Sequence, residues 1–537
     1  MTRTEMEADV AIIGGGLGGV AAALAALQQG QKVVLTEETD WLGGQLTAQA
    51  VPPDEHPWIE QFGCTSSYRR LRSEIRAYYR RSYPLTAGAL SEPHFNPGIA
   101  SVSKLCHEPR IALAVIEGLL APYRAAGRLT VLLNHRPVAG EATNDWVDCV
   151  QMVDDRAEAR LTVRSRFFVD ATETGGLLPL LGAEYVTGSE SAARTGEPHA
   201  DPVARPDNVQ AFSVCFAVDH IDGADFTIDK PDNYAYWREF HPDHWPDKLL
   251  SFTAPDPRTL LPRTRTFAPN PVPRPVVADQ SIDAGDDDLW IFRRILAREN
   301  FREGFLRSDV TLVNWPMIDY WGGSVLDVDD TTRIKEIDAA RQLSLSLLYW
   351  LQTEAPRPDG DTGWPGLRLR PDITGTPDGL AKAPYLRESR RIEALYTIVE
   401  QDLAVEVRGE KGSVRYPDSV GVGSYRIDLH PSTLGDSYID VASAPFQIPL
   451  RALVPVRVRN LLPAAKNIGT THITNGCYRM HPTEWNIGEV AGALAAHCIR
   501  NGREPQQVAV DGLLFSEFQA ELVAQGVEVG WPRVAGY

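Results

Sequence analysis

An α/β fold organised around a parallel β-sheet is predicted for this chain. Residues 9–13 and 32–37 read as short buried strands, and an alanine-rich helix over residues 17–29 lies between them. Together they form a complete β-α-β unit in about thirty residues, the usual length of this unit. The chain has 537 residues, more than one hydrophobic core usually organises, and 43% of them are hydrophobic. We therefore expect a globular protein in which this unit belongs to one of two domains.

A glycine-rich loop joins the first strand to the helix. Gly14, Gly16 and Gly19 follow the spacing G-x-G-x-x-G directly after a strand and at the start of a helix, which is the context that the motif requires. These glycines allow a tight turn, the approach of a pyrophosphate to the backbone, and close packing of helix on strand, respectively. Glu37, at the end of the second strand, is placed to accept hydrogen bonds from a ribose. The sequence therefore predicts a Rossmann-type domain that binds a dinucleotide, and a plain strand-to-helix turn is the alternative.

A second glycine pair favours FAD over NAD as this dinucleotide. Gly43, Gly44 and Gln45 come shortly after the second strand, where glycines let another stretch of backbone pass close to a bulky ligand. An ordinary surface turn is the alternative for this segment. The sequence contains no second G-x-G-x-x-G, so it does not predict the built-in NAD(P)H domain of the disulfide reductases.

Hydrophobic periodicity predicts the other elements. The predicted helices cover residues 69–81, 108–126, 333–352, 386–403 and 484–499. The predicted strands are a pair at residues 129–133 and 146–153, followed by strands at 167–171, 446–450 and 461–465. Two regions rich in proline, residues 255–275 and 356–384, are predicted to be extended loops.

Several motifs make the chain similar to the FAD-dependent oxidoreductases of the glutathione reductase-like flavoprotein group, whose members are largely uncharacterised. The resemblance extends over nearly the whole chain. It rests on residues 104–109 (KLCHEP), 170–173 (DATE), 387–392 (RESRRI), 418–421 (DSVG), 425–430 (YRIDLH) and 475–482 (NGCYRMHP).

The resemblance implies FAD as the cofactor and assigns contacts to it. Residues 170–172 are similar to the strand end that returns the chain under the FAD, and residues 460–469 to the late strand that meets the flavin. A helix beginning near Gly488 is similar to the one whose N-terminal dipole stabilises negative charge on reduced flavin. The related enzymes usually carry Gly-Asp where this chain has Lys466 and Asn467. The predicted FAD-binding residues are Gly14, Gly16, Gly19, Glu37, Gly43, Gly44, Gln45, Val138, Ala171, Thr172, Asn467 and Gly488.

We expect two interwoven domains, namely a discontinuous, three-layer FAD-binding domain and an inserted α+β substrate domain. Residues 1–183 form the first part of the FAD-binding domain, with a helical insertion at about 51–103. Residues 184–444 form the substrate or cap domain. Residues 445–537 close the FAD-binding domain and end in a helical tail. The substrate pocket is expected between the two domains, because flavin must present one ring face to the substrate.

Histidines are the first candidates for catalysis. Flavin carries the hydride chemistry, so the protein must bind the substrate over the ring and manage one proton. A base whose pKa is near neutrality suits this task. His430, His472 and His481 lie in or beside the motifs expected near the flavin, and we predict them as catalytic residues. A structural hydrogen-bonding role is the alternative for each.

Arginines are the second group of candidates. Arg479 is predicted as a clamp for a substrate carboxylate or as a partner of the flavin, because its planar guanidinium suits either. The alternative is a buried ion pair with Glu484 or Asp428. Arg387 and Arg391 share a face of the predicted helix around them, where they contact the substrate or, alternatively, are solvated.

These residues indicate a flavin dehydrogenase or oxidase. The expected reaction is hydride transfer to flavin from a C–H next to an alcohol or amine of a small polar or cyclic metabolite, with oxygen or an external acceptor reoxidising the FAD. One alternative is a flavin monooxygenase, or a reductase that takes electrons from NAD(P)H or a separate carrier. Another is a non-enzymatic protein in which FAD is a structural or sensory ligand.

Composition limits the partners. The net charge of −18, with no stripe of Lys and Arg, argues against a nucleic-acid partner. The sequence has no leader and no run of about 18 apolar residues, so we expect a cytoplasmic protein without a membrane partner. Six dispersed cysteines without a Cys-x-x-Cys pair are expected to be buried thiols, and no metal site is predicted. The expected partner is a small-molecule substrate.

Overall fold

The structure is a computed structural model that describes residues 4–154, 156–157, 159–276 and 287–532. Ten residues of the predicted substrate domain, 277–286, and the end of the predicted helical tail, 533–537, lie outside these described residues.

The described strands are short apart from those of the main sheet. They are β1 (Thr4–Ile13), β2 (Val33–Glu37), β3 (Leu129–Leu133), β4 (His135–Thr143), β5 (Trp146–Asp154), β6 (Ala159–Asp170), β7 (Tyr185–Val186), β8 (Phe216–His220), β9 (Thr253–Pro255), β10 (Pro262–Thr264), β11 (Arg294–Leu296), β12 (Val310–Val313), β13 (Leu367–Leu369), β14 (Arg391–Ile392), β15 (Ser419–Gly423), β16 (Ile427–Leu429), β17 (Ile439–Val441), β18 (Phe446–Pro449) and β19 (Leu461–Pro463).

The described helices include several single turns. They are α1 (Leu17–Gln28), α2 (Ser66–Ser82), α3 (Ala87–Ser91), α4 (Pro109–Ala125), α5 (Leu177–Leu180), α6 (Ala192–Thr195), α7 (Tyr234–Glu239), α8 (Leu289–Phe292), α9 (Asp330–Thr353), α10 (Pro371–Thr374), α11 (Val405–Arg408), α12 (His472–Tyr478), α13 (His481–Asn501), α14 (Pro505–Val510) and α15 (Gly512–Ala524). Short 3-10 turns lie at Gly44–Leu46, Arg298–Asn300, Pro316–Ile318, Glu400–Asp402, Gly409–Lys411 and Leu450–Leu453.

The main sheet is built from both ends of the chain. Its strand order is β3-β2-β1-β6-β5-β4, and β19 lies beside the last residues of β6. The strands β3, β2, β1, β6 and β19 run parallel, whereas β5 and β4 are antiparallel to their neighbours. Because parallel strands end at one edge of a sheet, the carboxyl ends of β1, β2, β6 and β19 meet there. The predicted α/β class with a parallel sheet is confirmed.

Helices α1 and α13 pack on this sheet and on each other with their backbones close together. A Cβ on Gly488 would lie 2.0 Å from the Gly18 carbonyl oxygen, and a Cβ on Gly492 would lie 2.1 Å from that of Ala22. These distances are too short for any side chain, so the two glycines of α13 are what allow the close crossing.

A second hydrophobic core surrounds the four-stranded sheet β11-β12-β8-β13 and helix α9. It is rich in tryptophan: Trp290 is fully buried and Trp315 is 1% exposed, and both pack on Phe267. Large aromatic side chains bury much apolar surface each, so this core contributes strongly to the stability of the middle part of the chain.

Four long predicted helices are confirmed as α2, α4, α9 and α13, with ends shifted by at most a few residues. None of the described helices is both long and apolar enough to cross a membrane. All six cysteines are free and buried, as expected.

The helix predicted over residues 386–403 is wrong. This segment is extended, its β14 pairs with β7, and it ends in the 3-10 turn Glu400–Asp402. The amide of Ile392 donates to the Asn467 carbonyl oxygen at 3.0 Å, and that of Glu393 donates to the Glu184 carbonyl oxygen at 2.9 Å. Bonds to distant segments replace the local bonds of a helix, so Arg387 and Arg391 do not share a helix face.

The predicted pairing of residues 129–133 with 146–153 is also wrong. Strand β3 instead lies parallel to β2, and β5 pairs with β4, a strand that the sequence pattern did not reveal. Similarly, residues 356–384 contain strand β13 and the single turn α10, and the proline-rich region 255–275 contains the hairpin strand β10. Tertiary pairing overrides local composition at these places.

Candidate active site

The glycine loop lies at the carboxyl edge of the parallel sheet. Gly14 has φ of +106°, and a Cβ there would lie 2.2 Å from the Ala171 carbonyl oxygen. A Cβ on Gly19 would lie 2.0 Å from the Gly14 carbonyl oxygen. Gly16 differs, because the nearest atom to its Cβ would be Oε1 of Glu173 at 3.0 Å. The first two glycines are thus needed for close backbone packing, whereas Gly16 leaves space open in front of α1.

A cleft of about 770 Å³ begins at this loop. Six of the predicted dinucleotide-binding residues line it, namely Gly14, Gly16, Glu37, Gly44, Ala171 and Thr172. Strand β4 contributes His135 and Pro137, helix α9 contributes Arg333, and the opposite wall includes Pro384 and Leu386. The cleft therefore lies between the main sheet and the middle part of the chain.

Glu37 holds the loop and faces the cleft. Its Oε2 accepts a hydrogen bond from the Gly15 amide at 2.9 Å, and its Oε1 accepts from both the amide and the hydroxyl of Thr39 at 2.9 Å. Burial raises the pKa of Glu37 to about 7. A carboxylate oxygen has two lone pairs, so Oε2 retains one for a ribose hydroxyl.

Two carboxyl groups and one ammonium group lie in front of the N-terminus of α1. Lys466 is buried and forms an ion pair with Glu173. Glu484 accepts from the Gly18 amide at 3.4 Å and from Nε2 of Gln45 at 2.6 Å. Burial, together with the charge of Glu173, raises the pKa of Glu484 to about 7. Burial alone would lower the pKa of Lys466, but the charges of Glu173 and Glu484 raise it. Carboxylates thus occupy the place where a helix N-terminus attracts anions.

A buried polar cluster lies close to the cleft, since Tyr385 acts on the pKa of Lys466 and Lys466 pairs with the cleft-lining Glu173. Tyr385 lies between two cleft-lining residues, and its hydroxyl accepts from Nη1 of Arg479 at 2.8 Å. Arg479 also donates to the Asp428 carbonyl oxygen at 3.0 Å and pairs with the Asp428 carboxylate at 3.3 Å. The ion pair considered from the sequence is therefore made with Asp428, and it places Arg479 beside the cleft.

His430 and Asp319 form a close pair in this cluster. Nδ1 of His430 is 2.6 Å from Oδ2 of Asp319, and Nε2 is 3.6 Å from Oδ2 of Asp428. Asp319 is fully buried and is also 2.8 Å from a guanidinium nitrogen of Arg387. Burial would raise the pKa of Asp319, but the charges of Arg387 and His430 hold it below its ordinary value. An ionised Asp319 fixes a proton on Nδ1 and leaves Nε2 as the basic nitrogen.

Three arginines of the cluster have hydrogen-bonding capacity to spare. These are Arg293, Arg387 and Arg479, each at most 9% exposed. The Nε atom of each has no hydrogen-bond partner within the described chain. Burial raises the pKa of Tyr385, and the positive charges of these three arginines act against that increase. All three guanidinium groups therefore lie near this phenol. Unpaired buried donors are costly, which indicates that they face a polar ligand or water.

The other two candidate histidines lie elsewhere. His472 donates its amide to Glu190 at 2.9 Å and holds Glu388 at 3.0 Å through Nδ1, and it lines a separate cavity. His481 is fully buried, and its Nδ1 accepts from the Asp54 amide at 3.0 Å. Burial lowers the pKa of His481 to about 4, so it is neutral at pH 7. His472 and His481 thus have other hydrogen-bond partners than His430, and their predicted catalytic roles stay predictions.

A family described as FAD dependent oxidoreductase matches residues 9–522 of this chain. The protein belongs to the FAD dependent oxidoreductase family. FAD is its cofactor. The narrower placement in the glutathione reductase-like group stays a prediction.

Solved structures show distant likeness to this family member. L-proline dehydrogenase from P. horikoshii is 18% identical with a TM-score of 0.18, over 35% of this chain and 25% of its own. The flavin-dependent monooxygenase PieE is 15% identical with a TM-score of 0.23, over 40% of this chain and 35% of its own. A geranylgeranyl bacteriochlorophyll reductase-like protein from Thermoplasma acidophilum is 9% identical with a TM-score of 0.32, over 97% of this chain and 85% of its own. This chain thus spans 25% to 35% of the length of the first two. No curated protein matches it.

The residues of the cleft fit FAD. Gly16 leaves room for a pyrophosphate at the N-terminus of α1, Glu37 can bind the adenosine ribose, and Lys466 can neutralise phosphate charge. Glu173 lies in the space beside Gly16 and Gly44, and its side chain is 23% exposed. It would have to turn away when the pyrophosphate enters, and this would free Lys466.

Three of the predicted FAD contacts are not among the residues that line the cleft, and their contact with FAD stays a prediction. Gly43 donates its amide to the Gly15 carbonyl oxygen at 2.7 Å, so it braces the glycine loop from outside the cleft lining. Gln45 is buried and holds Glu484 instead of lining the cleft. Gly488 packs against α1, because only glycine permits that crossing.

Val138 and Asn467 are also not among the residues that line the cleft, and their predicted contact with FAD stays a prediction. Val138 lies at a bulge of β4, and the cleft is lined by its neighbour Pro137 instead, because successive strand residues point to opposite faces. The Asn467 side chain is bonded to the Ala465 amide and the Asp170 carbonyl oxygen, at 3.1 and 3.0 Å. It fastens β19 to β6, while the preceding residue, Lys466, pairs with the cleft-lining Glu173.

Sequence reasoning missed four important groups, namely Asp319, Tyr385, Glu173 and Lys466 as a phosphate partner. Glu173 and Lys466 do carry a signal, since each follows directly on a strand that ends at the carboxyl edge of the sheet. Asp319 and Tyr385 carry none, because each meets its partner only through the tertiary fold.

Proposed function

We propose that this protein is an FAD-dependent dehydrogenase or oxidase. It would take a hydride from the C–H next to an alcohol or amine of a small polar or cyclic metabolite, and oxygen or an external acceptor would reoxidise it. The proposal rests on one observation, the pair of His430 and Asp319 in a buried polar cluster beside the cleft that fits FAD. We also propose that the substrate lies between residues 1–183 and 184–444, since both contribute to the walls of that cleft.

His430 is the general base in this proposal. Asp319 keeps the proton on Nδ1, so Nε2 accepts the proton of the substrate's hydroxyl or ammonium group. FAD, when bound, supplies the hydride acceptor. The protein's own task is to hold the reacting C–H against the flavin and to remove one proton from the adjacent oxygen or nitrogen.

Arg479 and Tyr385 are the positioning residues of the proposal. Arg479 is tied to Tyr385 and Asp428 and keeps Nε free, so it can donate one further hydrogen bond to a polar group of the substrate. The cluster is almost fully buried, which keeps bulk water away and strengthens these electrostatic contacts.

The test is the rate of flavin reduction under anaerobic conditions. Screening sugars, amines and hydroxy acids for bleaching of the flavin absorbance identifies a substrate. With it, His430→Gln should reduce flavin about a hundredfold more slowly than the parent while binding the same amount of FAD. His94→Gln is the matched control, because the His94 side chain is 59% exposed, and it should react at the parent rate. Equal rates for His430→Gln and the parent would refute the base assignment. Bleaching by NADPH without substrate would favour the reductase or monooxygenase alternative.

A further inference from the structure

A second cavity, of about 620 Å³, shares no lining residue with the FAD cleft. Four carboxylates line it, from Glu190, Glu197, Asp201 and Asp436. Its other walls include His472 and the apolar side chains Ile439 and Ile473.

Two polar groups of this cavity are buried without a partner. Glu197 is 3% exposed, and its Oε1 accepts from the Glu400 amide at 2.8 Å and the Thr471 hydroxyl at 2.6 Å, but its Oε2 has no partner within the described chain. Tyr438 is 4% exposed, and its hydroxyl also has no partner there. An unpaired buried carboxylate oxygen is costly, so a hydrogen-bond donor is required at this place.

The charges around the cavity leave it negative. Arg205 pairs with Asp201 and Asp436, and it is the one arginine among the lining residues. Behind the lining, Arg391 pairs with Glu190 and Glu388. Each of these two arginines thus pairs with two carboxylates.

His472 and Glu197 are the remaining groups that decide the net charge of the cavity. Burial alone would lower the pKa of His472, but Glu388 raises it, so His472 adds one positive charge below that pKa. Glu197 has no cationic partner among its hydrogen bonds, and burial raises the pKa of its carboxyl, so a bound cation would be needed to favour its ionised form. The cavity therefore carries an excess of negative charge that a cation would balance.

We propose that this cavity binds an organic ammonium group. Its N–H groups would donate to Oε2 of Glu197 and to the hydroxyl of Tyr438, and its carbon skeleton would lie against Ile439 and Ile473. A metal ion is a poorer fit, because no three His, Cys, Asp or Glu of the described residues are arranged to hold one.

The cavity also adjoins the proposed base. The ring centroids of Tyr438 and His430 are 5.4 Å apart, so the ring of a cavity-lining tyrosine packs against the proposed base. Of the two substrate classes left open above, this arrangement favours amines. That choice of substrate class rests on the proposed function, whereas the binding itself does not.

Binding is tested by isothermal titration calorimetry on the FAD-loaded, full-length protein. The probes are cyclohexylammonium, cyclohexanol and cyclohexanecarboxylate, which have similar shapes and different charges. Cyclohexylammonium should bind at least about tenfold more tightly than the other two, because it alone can form a charge-assisted hydrogen bond with the carboxylate. Equal affinities for cyclohexylammonium and cyclohexanol would overturn the proposal.

Substitutions of Glu197 and Tyr438 test whether cyclohexylammonium binds in this cavity. Glu197→Gln should weaken cyclohexylammonium binding about tenfold or more, and Tyr438→Phe should weaken it by a smaller factor. Asp207→Asn removes an exposed carboxylate outside the cavity and should bind like the parent. If Glu197→Gln does not fold, the Tyr438→Phe variant and the comparison of probes remain decisive. Parent-like binding by a folded Glu197→Gln would overturn the proposal, and this readout is independent of the rate of flavin reduction in His430→Gln.

Discussion

Gly16 and Gly18 lie two residues apart, yet the structure predicts opposite consequences of adding a methyl group to each. A Cβ on Gly18 would lie 1.6 Å from the Ala464 carbonyl oxygen, inside the protein. A Cβ on Gly16 would meet its nearest atom, Oε1 of Glu173, at 3.0 Å, in the cleft. Gly16 also has φ of −63°, which any residue adopts. Gly16→Ala should therefore fold normally and obstruct the pyrophosphate, whereas Gly18→Ala should disturb the fold.

The expected size of both effects follows from these contacts. A methyl group at Gly16 would hold the pyrophosphate away from the amides at the start of α1. Losing about two charge-assisted hydrogen bonds, at about 1.5–3 kcal/mol each, would weaken FAD binding by roughly 10² to 10⁴-fold. In Gly18→Ala the methyl group would collide with backbone that cannot rotate away, at a cost to the free energy of unfolding of about 1–3 kcal/mol or more.

The assay measures FAD affinity and stability separately. FAD binding is followed by quenching of flavin fluorescence, and the melting temperature is measured on the FAD-free proteins. Gly16→Ala should lose affinity and keep the parent melting temperature, and Gly18→Ala should melt at a lower temperature. Parent-like FAD affinity in Gly16→Ala would refute the placement of the pyrophosphate.

Three further predictions concern charge. Lys466→Met should weaken FAD binding about 10- to 100-fold, whereas Glu173→Gln should strengthen it by removing a competing carboxylate, and fluorescence titration measures both. Arg391→Met removes the guanidinium that pairs with two buried carboxylates, Glu190 and Glu388, and should lower the free energy of unfolding by about 3–5 kcal/mol. Arg194→Met, in an exposed pair, should lower it by less than about 1 kcal/mol, and urea unfolding measures both. Three histidines whose pKa values burial lowers to about 4 should lower the free energy of unfolding as the pH falls from about 6.5 towards 4, because they bind protons first in the unfolded state, whereas Glu37 and Glu484, with pKa values of about 7, act in the opposite direction. These histidines are His56, His107 and His481. His481→Gln should therefore gain stability relative to the parent as the pH falls through this range, and a difference in urea midpoint that is independent of pH would contradict this.

The nucleotide-binding half of the site could be predicted from the sequence because its signals are local. Gly14, Gly16 and Glu37 act through turn geometry and the ends of neighbouring strands, and these depend on spacing along a few dozen residues. The β-α-β unit and the long helices were predictable for the same reason, since their apolar residues recur with a fixed period.

The polar cluster of the proposed active site depends on contacts between distant residues. His430 meets Asp319 across 111 positions of the chain, and Lys466 meets Glu173 across 293. Arg391 was assigned to a helix because the residues around it suit one, but its partner Glu190 lies 201 positions away and draws the segment into an extended form. Charge pairs of this kind leave no periodic pattern, so the sequence identified the candidate residue types but not which of them come together.

The crystal structure of the FAD-loaded protein with a bound substrate or inhibitor tests the central claim most directly. We expect the pyrophosphate beside Gly16 and Lys466, the isoalloxazine ring on the Tyr385 side of the cleft, and the ligand between that ring and Nε2 of His430. A flavin ring that lies away from the cluster of Tyr385, Arg479 and His430, with the ligand out of reach of His430, would contradict the account.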